Sequence, residues 1–441
     1  MTHATPANHH RENALLLAAV RNAAPPSNMG DTLALNWEYL LAAANRQGVR
    51  PQLSQWRDIH DVSAPPEATD LLHAAYWENY FRTRTLLAEL AAVRAAAAAE
   101  GIVLLPLKGA ALAPTVYPSP DLRPMSDLDM LARAGDLART GAVLASLGYR
   151  EEPDGPILLP PRMRDPLRGE HKFTAIRGGF VLLIEVRAEP LDPGFPPLSE
   201  LDRAFSARLH RHATHFWERA TIGSDLTTAH AAPEDLLLHV ASHMTTRHAD
   251  FRLIWLCDMR AILAHAHAPE FDWDAFARDA RTLDLIVPVR VALDAAARWL
   301  DVPVPTSALA SLAPRRWHVV DRLEQRSLGA RAQAVGTADL TATAPTPIWL
   351  AIAAIARVSW LARIRAIRWL ILPGANYLAG WRNTPGATLT SATYARVAAF
   401  RLLTATLLAL AAVARLLRLP FLPARVDRLM QRVNPFGQYV K

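Results

Sequence analysis

"LPLKGAALAPTVYPSPDLRPMSDLDMLA", residues 105–132, is the stretch on which the reading of the chain turns. Only Lys108, Lys172 and Lys441 are lysines among the 48 basic residues, so a Lys108-Gly109 pair at the end of an apolar run stands out. "IVLLPL" (102–107) reads as a short buried strand. "GAALAPTVY" then turns into a short helix interrupted by Pro114, and "MSDLDMLA" alternates like a second strand. In a strand, residues i and i+2 share a face. Asp127 and Asp129 therefore converge on one side while Leu128 and Met130 face the core.

Two neighbouring carboxylates repel unless a cation holds them. Mg²⁺ takes hard oxygen ligands and completes its shell with water and substrate phosphates. A phosphoryl-type site of this kind needs a third carboxylate on a neighbouring strand. Glu185 in "FVLLIEVRAE" supplies it, on a face shared with Val181, Leu183 and Arg187. A single acid in so apolar a strand is costly unless it is paired or metal-bound, and a salt bridge to Arg187 is the plainer alternative. Glu189 is a second choice for the role.

Lys108-Gly109 lies where a strand becomes a helix. Glycine allows close backbone approach to a ligand, and the helix start offers free N–H groups to phosphate. Lys108 adds a point charge, and Arg123 is a second candidate phosphate ligand. No GxxxxGK[ST] loop accompanies them.

Outward from this module the chain reads as helical. "NWEYLLAAANRQG" stops at Gly48, and a long run from Glu67 closes at Gly101. "GDLARTGAVLASLGY" is a helix, and "HKFTAIRGGFVLLIEVRAE" is a hairpin with Gly178-Gly179 in its turn. Helices return after Pro190, with Pro233 opening one of them. The spacing predicts a flexible segment over 1–35 with one short helix near Glu12–Asn22, helices over 36–100, an α/β core over 101–190, a helical domain over 191–330, a linker over 331–347 and a basic helical segment over 348–441. The fold class is α+β: a small mixed sheet embedded in a largely helical protein.

One cysteine, Cys257, excludes a disulfide framework and reads as a small apolar filler. The N-terminus lacks the basic and apolar regions of a leader, and "VAAFRLLTATLLALAAVARLL" carries Arg401 and Arg415, leaving too short an apolar run to span a bilayer. The expected location is the cytoplasm. From Pro345 onward, 12 arginines and one lysine face a single acid, Asp427. Such a region is either a solvated helical surface or a patch for RNA or an anionic membrane.

His239 and His243 stand one helical turn apart, as zinc ligands often do, but "HVASH" lacks the glutamate of a metalloprotease helix. They read as structural histidines, or as lining an acceptor pocket with Arg247. His210, His212 and His215 read as a surface run, and Trp255 and Asp258 as helix packing and a polar anchor.

"LPLKGAAL", "VYPSPDLRPMSDLDMLA", "LASLGYR" and "LIEVR" together resemble the uncharacterised nucleotidyltransferase family of bacteria, whose members carry a "KG…Y…R…DlDlL" signature. That family is a remote relative of the polymerase-beta-like nucleotidyltransferases. Weaker matches extend from about residue 36 to about 418. The resemblance implies Asp127, Asp129 and Glu185 as catalytic and metal-binding acids, and Lys108, Gly109 and Arg123 at the nucleotide phosphates. It implies Mg²⁺, with Mn²⁺ as its substitute, and an NTP such as ATP as substrate. The acceptor would be a small molecule or a peptide. Asp127 and Asp129 would hold two ions, one at the triphosphate and one at the acceptor oxygen. One departure stands out: many relatives have a His-Trp pair after the third acid, whereas here Val186 is followed by Arg187 and Ala188. A catalytically silent relative and a basic RNA- or membrane-associated protein are the competing readings.

Overall fold

The computed structural model describes residues 9–27, 30–152, 170–191, 202–265, 271–314, 318–336, 339–341 and 358–364. The chain divides into two compact units. The first comprises Met1–Glu151, Glu170–Asp192 and Arg208–Ala344; the second comprises Glu152–Gly169, Pro193–Ala207 and Pro345–Lys441. In the second, Asp202 accepts hydrogen bonds from the backbone N–H groups of Ala204 and Ser359, at 2.9 and 2.8 Å. Part of the expected linker and most of the basic C-terminal segment, with the late apolar run, lie outside the described residues.

The first unit opens with helices α1 (His10–Arg21), α2 (Trp37–Gln47), α3 (Arg50–Ile59) and α4 (Pro66–Ala99). The short helix expected near residues 12–22 is present as α1, and its Leu15 and Leu16 are fully buried. Its apolar residues recur at helical spacing, and burying each contributes roughly 1.5–3 kcal/mol.

The α/β core follows: β1 (Leu105–Pro106), α5 (Lys108–Thr115), β2 (Leu128–Leu131), α6 (Leu137–Ser146), β3 (Arg150–Glu151), β4 (Glu170–Arg177) and β5 (Phe180–Arg187). Among the described residues these strands form one sheet in the order β1-β2-β5-β4-β3. β2 and β5 run parallel and the other pairs antiparallel, so the sheet is mixed and the α+β expectation holds. Gly178 and Gly179 join β4 to β5 with φ of 54° and 82°. Two successive left-handed residues make the tight turn whose twist suits a hairpin.

Alternation decides which face is which. Leu128 and Met130 of β2 and Leu182, Ile184 and Val186 of β5 are buried against Leu86, Leu90 and Val93 of α4 and Leu144 of α6. The other face carries Asp129, Glu185 and Arg187. The sequence pattern is therefore that of a sheet with a dry side and a polar side.

Further helices follow in the chain: α7 (Arg203–Arg219), α8 (Pro233–Ser242), a π-helical turn (His243–His248), α9 (Leu253–His265), α10 (Trp273–Thr282), α11 (Ile286–Leu300), α12 (Thr306–Ser311) and α13 (Val319–Ala334). α13 continues into the first residues expected to be linker. Among the described residues no helix is long and apolar enough to cross a membrane.

The two faces of β5 make opposite predictions. Ile184→Ala should lower the free energy of unfolding by about 2–5 kcal/mol. Val181→Ala, on the opposite face and 63% exposed, should change it by less than about 0.5 kcal/mol. Urea denaturation of both variants checks the assignment.

Candidate functional site

Parallel register sets the site. Asp129 of β2 is paired with Glu185 of β5, and Glu185 is paired across the antiparallel ladder with Lys172 of β4. Paired residues on neighbouring strands point to the same face, about 5 Å apart. The side chains of Asp129, Glu185 and Lys172 therefore form one row. Asp129 and Glu185 are 3% and 7% exposed, so both carboxylates need counter-charge within the protein.

The counter-charge is present. The Lys108 ammonium donates to Asp129 Oδ1 at 2.7 Å, and the Lys172 ammonium donates to Glu185. The Arg187 guanidinium reaches both acids, at 3.4 Å to Asp129 Oδ1 and 3.7 Å to Glu185 Oε2. Both lysines outside the C-terminal residue are thus committed to this row. Lys172 was not singled out as a site residue from the sequence, although the scarcity of lysine was a usable signal. Arg187, two residues after Glu185, is part of the row as well.

Asp127 precedes β2 rather than lying within it, and is half-buried. Its carboxylate accepts from the Ser126 hydroxyl at 3.1 Å. Burial, and then repulsion from Asp129, push its pKa above the ordinary value. For Asp129, burial acts in the same direction, but Lys108 and Arg187 outweigh it and hold the carboxyl below its usual range. Two acids two residues apart are thus driven in opposite directions by their neighbours.

Lys108 has φ of +47°, a left-handed conformation unusual for a residue with a side chain. Gly109 starts α5 tight against the next loop: a Cβ there would lie 2.6 Å from Met125 Cγ and 2.9 Å from Arg123 Nη1. The glycine is required by packing of the helix start on residues 123–125. This is a different reason from ligand approach, which was the expectation.

The signature's Tyr and Arg converge on one acid. Arg123 Nε and Nη2 donate to Asp258 Oδ1 and Oδ2 at 2.8 and 2.7 Å, and the Tyr117 hydroxyl donates to Asp258 Oδ1 at 2.6 Å. Asp258 is fully buried on α9, and Arg123 is 7% exposed. Arg123 thus spends its fork on an internal partner and pins the loop before β2 to α9. The reading of Asp258 as a polar anchor holds, and Cys257 beside it is buried.

Two histidines adjoin the row. The His239 ring, 2% exposed, is anchored through Nδ1 to the carbonyl of Pro190, just past β5. Burial and then the charges of Lys108 and Arg187 push its pKa down to about 3. Burial, and then the charge of Lys108, lower His243 as well. The Glu189 carboxyl, half-buried, lies 3.7 Å from His210 and takes no part in the row.

A second group of ligand-type side chains is formed by His212, Asp235 and Asp279, whose nearest donor atoms lie within 4.8 Å of one another. His212 is 4% exposed, which corrects the surface reading at that position, whereas His210 and His215 are exposed as expected. Arg219 donates to Asp235 Oδ2 at 2.9 Å and lies 2.8 Å from Asp279. Its guanidinium bridges the two carboxylates, and the group acts as an ion-pair brace between α7, α8 and α10.

The sequence model of a family described as uncharacterised nucleotidyltransferase matches residues 34–301. No curated protein and no solved structure matches the chain. The matched span contains every residue of the row, the Tyr117–Arg123–Asp258 anchor and both histidines. The chain belongs to the uncharacterised nucleotidyltransferase family.

Asp258→Ala should leave the Arg123 charge buried and unpaired and lower stability by about 3–5 kcal/mol. The double variant Arg123→Met, Asp258→Leu should recover most of that loss in the same urea titration. Asp129, with its folded pKa depressed, contributes stability above the ordinary carboxylate pKa and loses it as pH falls through the folded value. Below pH of about 4, wild type should lose stability more steeply than Asp129→Asn, by up to about 1.4 kcal/mol per pH unit.

Proposed function

We propose that this protein is a Mg²⁺-dependent nucleotidyltransferase of the polymerase-beta-like kind, acting in the cytoplasm. It moves a nucleoside monophosphate from an NTP such as ATP to the hydroxyl of a small-molecule or peptide acceptor. The observation that carries this reading is the in-register pairing of Asp129 with Glu185 on adjacent parallel strands, with Asp127 two residues upstream. Three carboxylates are a hard oxygen donor set that suits Mg²⁺, with Mn²⁺ as its substitute. Two of them are held by ammonium groups on flexible stems, which can turn aside for a divalent ion. Asp127, Asp129 and Glu185 would hold the ion, which when bound neutralises charge on the triphosphate and the attacking oxygen.

The chain's own groups do the rest. Lys108 and Lys172, once turned from the carboxylates, stand as donors to the phosphates and the leaving pyrophosphate. The N–H groups at the start of α5, kept in place by the packing at Gly109, are a further phosphate contact. Arg123 acts from behind by holding the loop, since its guanidinium is committed to Asp258. In the reaction the acceptor oxygen forms a bond to the α-phosphorus, and the bond from that phosphorus to the pyrophosphate oxygen breaks. Pyrophosphate leaves with the electron pair, and the hydroxyl proton passes to the Glu185 carboxylate.

One observation favours a second reading, a catalytically silent nucleotide-binding protein: Lys108 and Lys172 already neutralise Asp129 and Glu185 from within. Calorimetry with ATP, GTP, CTP and UTP, with and without Mg²⁺, separates the two. Nucleotidyl transfer requires Mg²⁺-dependent binding that Asp127→Asn weakens at least about tenfold, with an unchanged melting temperature. Binding that ignores both Mg²⁺ and Asp127 would establish the silent reading.

A further inference from the structure

The His239–His243 pair takes no part in the reaction as derived above. His239 donates through Nδ1 to the Pro190 carbonyl. A carbonyl only accepts, so Nδ1 carries the proton and Nε2 presents a lone pair. That Nε2 is buried and has no hydrogen-bond partner among the described residues. A buried acceptor without a donor costs about 1–3 kcal/mol, and such atoms in native proteins call for an explanation.

His243 is the reachable member. It is half-buried and stacks on His239, with ring centroids 6.2 Å apart and planes 9° from parallel. Trp255 and His248 pack edge-on to it at 5.4 and 4.5 Å. Three rings therefore set its orientation. It also opens the π-helical turn His243–His248. Such turns interrupt helices most often at functional sites, because they re-aim side chains at a cost in backbone geometry. The anchor at Pro190 holds the pair at the exit of β5, five residues beyond Glu185 in sequence.

The chemistry of a group that fits here is narrow. A phosphate or carboxylate oxygen brings no proton to a lone pair. A hard ion such as Mg²⁺ takes oxygen ligands rather than an imidazole nitrogen. A hydroxyl donates its hydrogen and carries no charge. We propose that the His239–His243 pair is the hydroxyl-recognition wall of this site, accepting a hydrogen bond from a substrate hydroxyl and positioning it beside the carboxylate row. The inference rests on the nucleotidyl-transfer reading and assigns it two specificity-determining residues. The hydroxyl belongs either to the acceptor or to the ribose of the nucleotide.

The test uses the full-length protein as wild type, His243→Phe and His239→Phe, which keep a ring and delete the lone pair, and His243→Gln and His239→Gln, which keep an acceptor atom. Circular dichroism and melting identify any variant that does not fold, and the Gln variants then carry the test. Two quantities are read: calorimetric affinity for the best-binding NTP and its 2′- and 3′-deoxy forms with Mg²⁺, and pyrophosphate release with glycerol as hydroxyl probe. If the acceptor is the source, the Phe variants bind NTP like wild type and release pyrophosphate at least about tenfold more slowly, with partial rescue in Gln. If ribose is the source, wild type prefers the ribonucleotide over one deoxy form, and the Phe variants lose that preference. Phe variants that match wild type in affinity, sugar preference and pyrophosphate release overturn the proposal while leaving nucleotidyl transfer intact. A folded wild type that binds no NTP overturns the parent reading, and this inference with it.

Discussion

Two carboxylates paired in register on adjacent parallel strands, and nearly closed off from water, are the constraint to which the rest of this unit answers. Asp129 and Glu185 cannot both be charged there without cations at hydrogen-bond distance. The chain supplies Lys108 from the start of α5, Lys172 from β4 and Arg187 from β5 itself. Each comes from a different element, so the two acids have their full counter-charge only when the sheet and α5 are assembled. Lysine at two of these positions matters, because a flexible ammonium can be exchanged for another cation more readily than a bidentate guanidinium.

The loop between α5 and β2 is positioned by a second buried charge system. Tyr117 and Arg123 both end on Asp258, and Asn79 of α4 donates to the carbonyl of Asp121 at 2.6 Å. The loop is therefore held from α9 on one side and α4 on the other. Gly109 lets the start of α5 close on the same loop. A motif that reads in sequence as a string of ligands is in large part a clamp that keeps Asp127 and Asp129 where they are. The histidine pair extends the same arrangement, since His239 ties α8 to the chain just past β5.

Local pattern carried much of this. Alternation in "MSDLDMLA" and "FVLLIEVR" put Leu128, Met130 and Ile184 in the core and the acids on the opposite face, because strand geometry has a period of two. Gly178-Gly179 announced the hairpin, because two left-handed residues suit its turn. The readings that changed were those in which a side chain's partner lies far along the chain. Arg123 read as a phosphate ligand because Asp258, 135 residues away, gives no local sign of pairing with it. His212 read as surface because its neighbours are polar, yet it is buried near Asp235 and Asp279 of other helices.

By itself, then, the sequence determined the secondary elements, the dry and polar faces of the sheet, and the acids that stand on the polar one. These follow from backbone periodicity and turn chemistry, which act over a few residues. Tertiary structure decided that Asp129 and Glu185 are direct neighbours in a parallel pair, which cations neutralise them, and that His239 adjoins them. Register between strands some 55 residues apart in sequence, and the choice of ion-pair partner, depend on which surfaces meet when the core closes. No local rule of the chain encodes that meeting.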